Sequence, residues 1–159
     1  MTWPAPQIGD VVWCYFPYPD GPKRHPALIL DVDNTAKPLQ VIVSGGTSAQ
    51  KSGLPRKQTA SDLLIKKGDA CFAATGLENS TFFHFKPDGV LRLVYDAQCF
   101  WPQPGGTPKI GKLNAQDPAV QVAVQRAAKA ANLSVTLQTR RSAPKVPKVP
   151  NDSVRARKE

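Results

Sequence analysis

The chain has 159 residues and a formal net charge of +9, from 21 lysines and arginines against 12 aspartates and glutamates. That length suits one domain with room for an appendage and leaves no space for a second full domain. Sixteen prolines exclude a fold built on long helices, and without an apolar run of about 18 residues there is no candidate membrane helix.

The opening "MTWPAPQIGD" has neither a basic start nor an apolar signal core, so a cytoplasmic protein is expected. From Asp10, "DVVWCYFP" is an apolar and aromatic run of strand length, closed by the turn residues of "PYPDGP", which are expected to form a mobile loop. "HPALILDV" resumes the strand character, with Pro26 expected at its beginning, where a missing N–H costs least. "LQVIVSG", residues 39–45, is a β-branched strand that ends at Gly45 and Gly46 with Thr47 and Ser48 just beyond. "AQKSGLPRKQTA" is polar and loop-like, "SDLLI" (residues 61–65) is a short strand, and "KKGD" is a turn.

"ACFAA", "TFFHFK" and "VLRLVY" are further expected strands. Asp117 and Pro118 start a helix expected over about residues 118–131, with Val120, Val124, Ala127, Ala128 and Ala131 on one face and Asn132 as its stop. "LSVTLQTR" could add a last strand. Together these elements predict a mainly β fold, an antiparallel sheet that curls or closes as an SH3-like small barrel with a C-terminal helix, over residues 1–135.

Residues 136–159 are rich in proline, lysine and arginine and poor in large apolar groups, so a disordered basic tail is expected. It carries +5 of the net charge and the body carries the rest. A basic excess suggests an anionic partner, RNA or DNA, because cationic side chains release counterions from phosphates. A solubilising extension is the plain alternative for the tail. Cys14, Cys71 and Cys99 are odd in number, widely spaced and set in apolar stretches, so they read as small core side chains, with no disulfide framework and no metal site.

At the first loop, "GPKRHPALIL" presses Lys23, Arg24 and His25 against the start of a strand. "IGDVVWCYFPYPDGPKRHPALIL" resembles the opening of the MazF/PemK (Kid-like) toxin family, in which a Gly-Asp-Val strand leads through a Phe-Pro loop to a basic residue and Pro-Ala. "VIVSGGTSAQ", "SDLLI" and "ATGLENSTFFHF" are similar to later family segments in the same order, and "PKIGKL" with the helix resembles a family C-terminus. The resemblance spans residues 8 to about 133. It implies a MazF/PemK/CcdB-like fold and a homodimer that cleaves single-stranded RNA without a metal or other cofactor. It also implies a cognate antitoxin partner and, in complex with that antitoxin, operator DNA.

Cleavage of RNA by internal attack needs a base for the 2′-OH, an acid for the departing 5′-oxygen and donors for the charge on phosphorus. Arg24 can donate a planar fork to a phosphate, and His25 is of the residue type whose charge changes near neutrality and could be acid or base. Thr47 or Ser48 could bind the same phosphate. The family pattern has arginine directly before Pro-Ala, where this chain has His25, with Arg24 one position earlier. Since successive strand residues face opposite sides, Arg24 could point away from the site, so either His25 replaces the arginine or activity is reduced or lost.

Asp62 stands where the family often has a carboxylate and is a candidate base. His84, alternating with Phe83 and Phe85, should face away from whichever side they pack on. Lys23, Lys51, Arg56 and Lys57 are candidate RNA-binding residues, a solvated rim being the alternative. Trp13 reads as core more than as a stacking platform. The rival to an endoribonuclease is a catalytically inactive module of the same fold that binds nucleic acid or protein.

Overall fold

The apolar run from Asp10 forms β1 (Asp10–Tyr18), which pairs antiparallel with β2 (Gly21–Asp33) in a ladder from Val11 opposite Leu28 to Tyr18 opposite Gly21. The expected loop is therefore largely strand, because extending the hairpin gives backbone groups on both chains their partners. Pro26 lies inside β2, opposite Trp13. It is tolerated there because the ladder between β2 and the next strand begins only at Ala27.

That strand is β3 (Gln40–Ser48), the axis of the fold. On one side it pairs with β2; on the other it pairs with β8 (Val90–Val94) through Gln40 to Ser44 and with β7 (Thr81–His84) through Gly46 to Ser48. The end strands are β6 (Asp62–Ile65), on β7, and β9 (Lys109–Lys112), on β1. β4 (Gln50–Lys51) and β5 (Leu54–Pro55) form a separate two-residue ladder inside the segment read as loop.

The computed structural model describes residues 3–18, 21–51, 54–55, 57–102 and 106–133. The basic tail and the expected strand from Ser134 onward lie outside these residues. Among the described residues the molecule is mainly β, a seven-stranded antiparallel sheet, and no helix is long and apolar enough to cross a membrane.

The expected closed barrel is not found: no ladder joins the two ends of the sheet among the described residues. Helices cover those ends instead. α2 (Pro118–Ala130) packs on β6, and α1 (Phe72–Thr75) packs on β9, so each end strand is sheltered without a neighbouring strand.

Alternation along β1, β2 and β3 builds a core on each face. Val11, Leu28, Leu30 and Ile42 pack with Leu63, Phe83, Phe85 and the Val120, Val124 and Ala127 face of α2. Val12, Ala27, Ile29, Val41 and Val43 pack with Phe100 on the other side. Cys14 and Cys71 are buried as expected, and burial pushes the Cys14 thiol pKa up.

α1 replaces the strand expected for "ACFAA". A five-residue apolar run has no readable period, alanine favours helix over strand, and the Thr75 hydroxyl donates to the Phe72 carbonyl at 2.6 Å within the turn. Gly76 ends the turn at φ 73°, and its Cα sits against the Ile110 carbonyl while Gly111 sits against Thr75. β9 itself carried no strand signal beyond its likeness to a family segment.

α2 begins as expected, with the Asp117 carboxylate accepting the Ala119 N–H at 2.9 Å and Pro118 in the first turn, a cap worth about 1 kcal/mol. Asn132 adopts φ 57°, Leu133 N–H returns to the Ala128 carbonyl, and the Leu133 side chain packs on the core. That is the geometry of a left-handed helix stop.

Candidate catalytic site at the end of β3

β6 and β7 align Asp62 directly opposite His84, which puts both side chains on the same face of the sheet. His84 Nδ1 lies 2.7 Å from Asp62 Oδ1. A carboxylate only accepts, so Nδ1 carries the proton and, in the neutral ring, Nε2 carries the lone pair. The Thr47 hydroxyl, 2.9 Å from Nε2, then donates to it. The result is a continuous chain from Asp62 through His84 to Thr47.

The first two members of the chain are held in turn. Asp62 Oδ2 accepts the Thr59 N–H at 2.9 Å, and the Ser44 hydroxyl donates to the His84 carbonyl at 2.6 Å. The Asp62 side chain is 3% exposed and that of His84 26%, so the carboxylate is shielded while the imidazole reaches solvent. Burial alone would raise the Asp62 pKa, but the hydrogen bonds from Thr59 and His84, with the charge of His84, outweigh it and hold the carboxyl below its usual range.

A folded-state pKa below the unfolded one means that Asp62 stabilises the fold above the unfolded value of about 3.9 and loses that contribution as pH falls through the lower folded value. Asp62→Asn should therefore flatten the acid side of a melting-temperature-against-pH curve. An unchanged slope between wild type and variant would count against the ionised carboxylate.

The second histidine arrives from β2. His25 Nδ1 donates to the Gly46 carbonyl at 2.9 Å. The register that pairs Ala27 with Gly45, continued by two residues, brings His25 alongside Thr47. The chain has two histidines, and both reach adjacent residues of β3, one on each side. Gly46 has no room for a side chain, since a Cβ there would lie 2.9 Å from the Pro26 carbonyl oxygen and from the Phe83 ring. Close approach of three strands at Gly46 is what puts the hydrogen bonds of the two imidazoles on adjacent residues of β3, Gly46 and Thr47.

Of the residues singled out from sequence, Thr47 and Asp62 belong to the hydrogen-bonded chain and His25 lies beside it. Arg24 takes a different position. Its guanidinium stacks over the rings of Trp13, at 4.5 Å, and Trp101, at 5.0 Å, a contact that draws it to the face of β2 opposite His25. Ser48, exposed, points with Trp13 and Pro26 into a small depression, and its oxygen accepts the Gln50 N–H at 3.3 Å. Lys57 is exposed; the side chains of Lys23 and Lys51, and Arg56 entirely, lie outside what the structure describes.

His84 is the member of the chain that was not singled out from sequence as a catalytic candidate. Its alternation with Phe83 and Phe85 correctly turned it away from their core, but its partner Asp62 is 22 positions distant, and that pairing depends on strand register. Among the described residues, no group of three or more His, Cys, Asp or Glu is placed to hold a metal ion.

A scan of protein-family models finds none that matches this chain, and no curated protein matches it.

Proposed function

We propose that the protein is an endoribonuclease that cleaves single-stranded RNA by attack of a ribose 2′-oxygen on the adjacent phosphorus. The observation that carries the reading is the Asp62–His84–Thr47 chain at the end of β3, with His25 held on the carbonyl of the neighbouring Gly46. In this reading His84 Nε2 takes the 2′-OH proton, with Asp62 orienting the ring and stabilising the imidazolium that forms. The 2′-oxygen bonds to phosphorus, the bond to the 5′-oxygen breaks, and the leaving oxygen takes a proton from His25 in its protonated form. The products are a 2′,3′-cyclic phosphate and a 5′-hydroxyl. The Thr47 hydroxyl, displaced from Nε2 by the substrate, donates to a phosphate oxygen as charge builds there.

The ordered likeness to MazF/PemK toxins supports the same chemistry. It brings with it a homodimer, a neutralising antitoxin and operator DNA bound with that antitoxin, as parts of the proposal. The position of His25 before Pro26 and Ala27 is then a replacement of the family arginine by an imidazole acid, while Arg24 serves the indole stack.

A second reading rests on Arg24. Its engagement with Trp13 and Trp101 suits a surface that binds nucleic acid without cutting it. Incubating the purified protein with a long single-stranded RNA in EDTA separates the two. Discrete fragments with 5′-hydroxyl ends are the expected result. Intact RNA that shifts in a native gel would replace the enzyme with the binding module.

A further inference from the structure

We infer that the depression bounded by Trp13, Pro26, Ser48, Glu78 and Asn79 is a nucleobase subsite favouring bases that carry an exocyclic amino group over uracil. The inference rests on the reading of the protein as an RNA-cleaving enzyme and specifies which RNA it prefers. The cavity measures about 120 Å³, well below the range that takes a whole drug-sized ligand, and suited to one flat ring system entering from the side.

Its walls supply what base recognition needs. The Trp13 indole gives an aromatic wall, and the same ring is already stacked by Arg24, which extends the platform toward Trp101, 40% exposed. Aromatic rings and guanidinium planes are the surfaces on which unpaired bases stack. Glu78, Asn79 and Ser48, all exposed, line the depression as well and bring a carboxylate, an amide and a hydroxyl to its rim. Stacking tolerates any base, so discrimination falls to these three.

The carboxylate decides the direction. It can only accept, so Glu78 is matched by an amino group of adenine, cytosine or guanine; the oxygens that flank the single N–H of uracil would face it with like partial charge. Asn79 offers a donor beside an acceptor and can complete a two-point contact with the same edge.

The pocket is tied to the reacting groups through backbone. Ser48 follows Thr47 on β3 and pairs with Thr81, the residue that opens β7 and leads to His84. The Ala49 N–H donates to the Ser80 carbonyl at 2.8 Å. These ties fix the depression relative to β3 and β7; its lining side chains and those of Thr47 and His84 leave opposite faces of β3, so an RNA that reaches both passes over the end of that strand.

Binding and cleavage test this separately. Titrating the full protein with AMP, CMP, GMP and UMP, while following the Trp13 indole N–H by NMR, should give at least fivefold weaker binding for UMP. The Trp13 signal is assigned by its loss in Trp13→Phe, and Asn79→Ala and Glu78→Gln should each reduce the discrimination. In a randomised RNA pool, Glu78→Gln should lower by about tenfold the ratio of cuts beside amino-bearing bases to cuts beside uracil. If UMP binds as well as the others, or no nucleotide moves the Trp13 signal, the subsite is wrong even should RNA be cut. If the selective shifts occur but RNA stays intact, the subsite stands and the ribonuclease reading falls.

Discussion

His84→Ala should slow RNA cleavage by at least a hundredfold at neutral pH. Positioned acid–base groups contribute about 10²- to 10⁴-fold, and in this site the imidazole links Asp62 to the Thr47 hydroxyl. The ring belongs to neither apolar core, so its removal opens no large cavity in them. It does strip a buried carboxylate of one of its partners, leaving the Thr59 N–H, which is destabilising in its own right. His84→Gln is the companion variant, because a glutamine amide can still donate to Asp62 but cannot shuttle a proton. Both variants should show the loss, with thermal unfolding confirming a folded protein. Either one cutting RNA at the wild-type rate would remove His84 from the chemistry.

The second large effect concerns stability. Gly111→Ala should cost roughly 2–4 kcal/mol, at the high end for a single substitution. A Cβ at Gly111 would run into the carbonyl groups of Thr75 and Ala74. Those are backbone atoms at the end of α1, fixed by the Thr75 hydroxyl bond to Phe72 and by the turn at Gly76. The crossing is tight from the other side as well, since Gly76 lies against Ile110 with φ 73°, a conformation side chains resist. Neither element can retreat without exposing an end of the sheet. Urea unfolding measures the effect, and a midpoint equal to that of wild type would show that α1 and β9 are free to separate.

Much of this arrangement was legible in the sequence. The apolar runs of β1, β3, β6, β7 and β8 have strand lengths and turn residues at their ends, and α2 is bracketed by Asp117, Pro118 and Asn132, each of which does what its chemistry suggests. Local signals failed where tertiary contacts decide. "ACFAA" is too short to have a period and became helix against β9. β9 is a four-residue strand with a glycine at its centre, readable only through what it packs on. Coverage of the sheet ends by α1 and α2 in place of a closed barrel is likewise decided between elements far apart in sequence.

The candidate site divides along the same line. Thr47 could be named because it ends a strand beside two glycines, and Asp62 because its segment resembles a family position that often carries a carboxylate. The role of His84 depends on the alignment of two strands, and the diversion of Arg24 depends on Trp13 and on Trp101, a residue that no local pattern connects to the first hairpin. Trp13, read from sequence as core, is half-buried beneath that guanidinium.

On the proposed reading, the change of partner along β3 also sets when cleavage could begin. Thr47 and His84 are 37 positions apart, and β7 cannot dock on the far half of β3 until it has been synthesised. A nascent chain that stops short of Thr81 holds His25, Thr47 and Asp62 but lacks the imidazole between the last two. Pairing of such distant strands is a slow and late event in folding. On the proposed reading, the ribosome would be translating a message that its own product cannot yet cut, and the delay is written into the order of the strands.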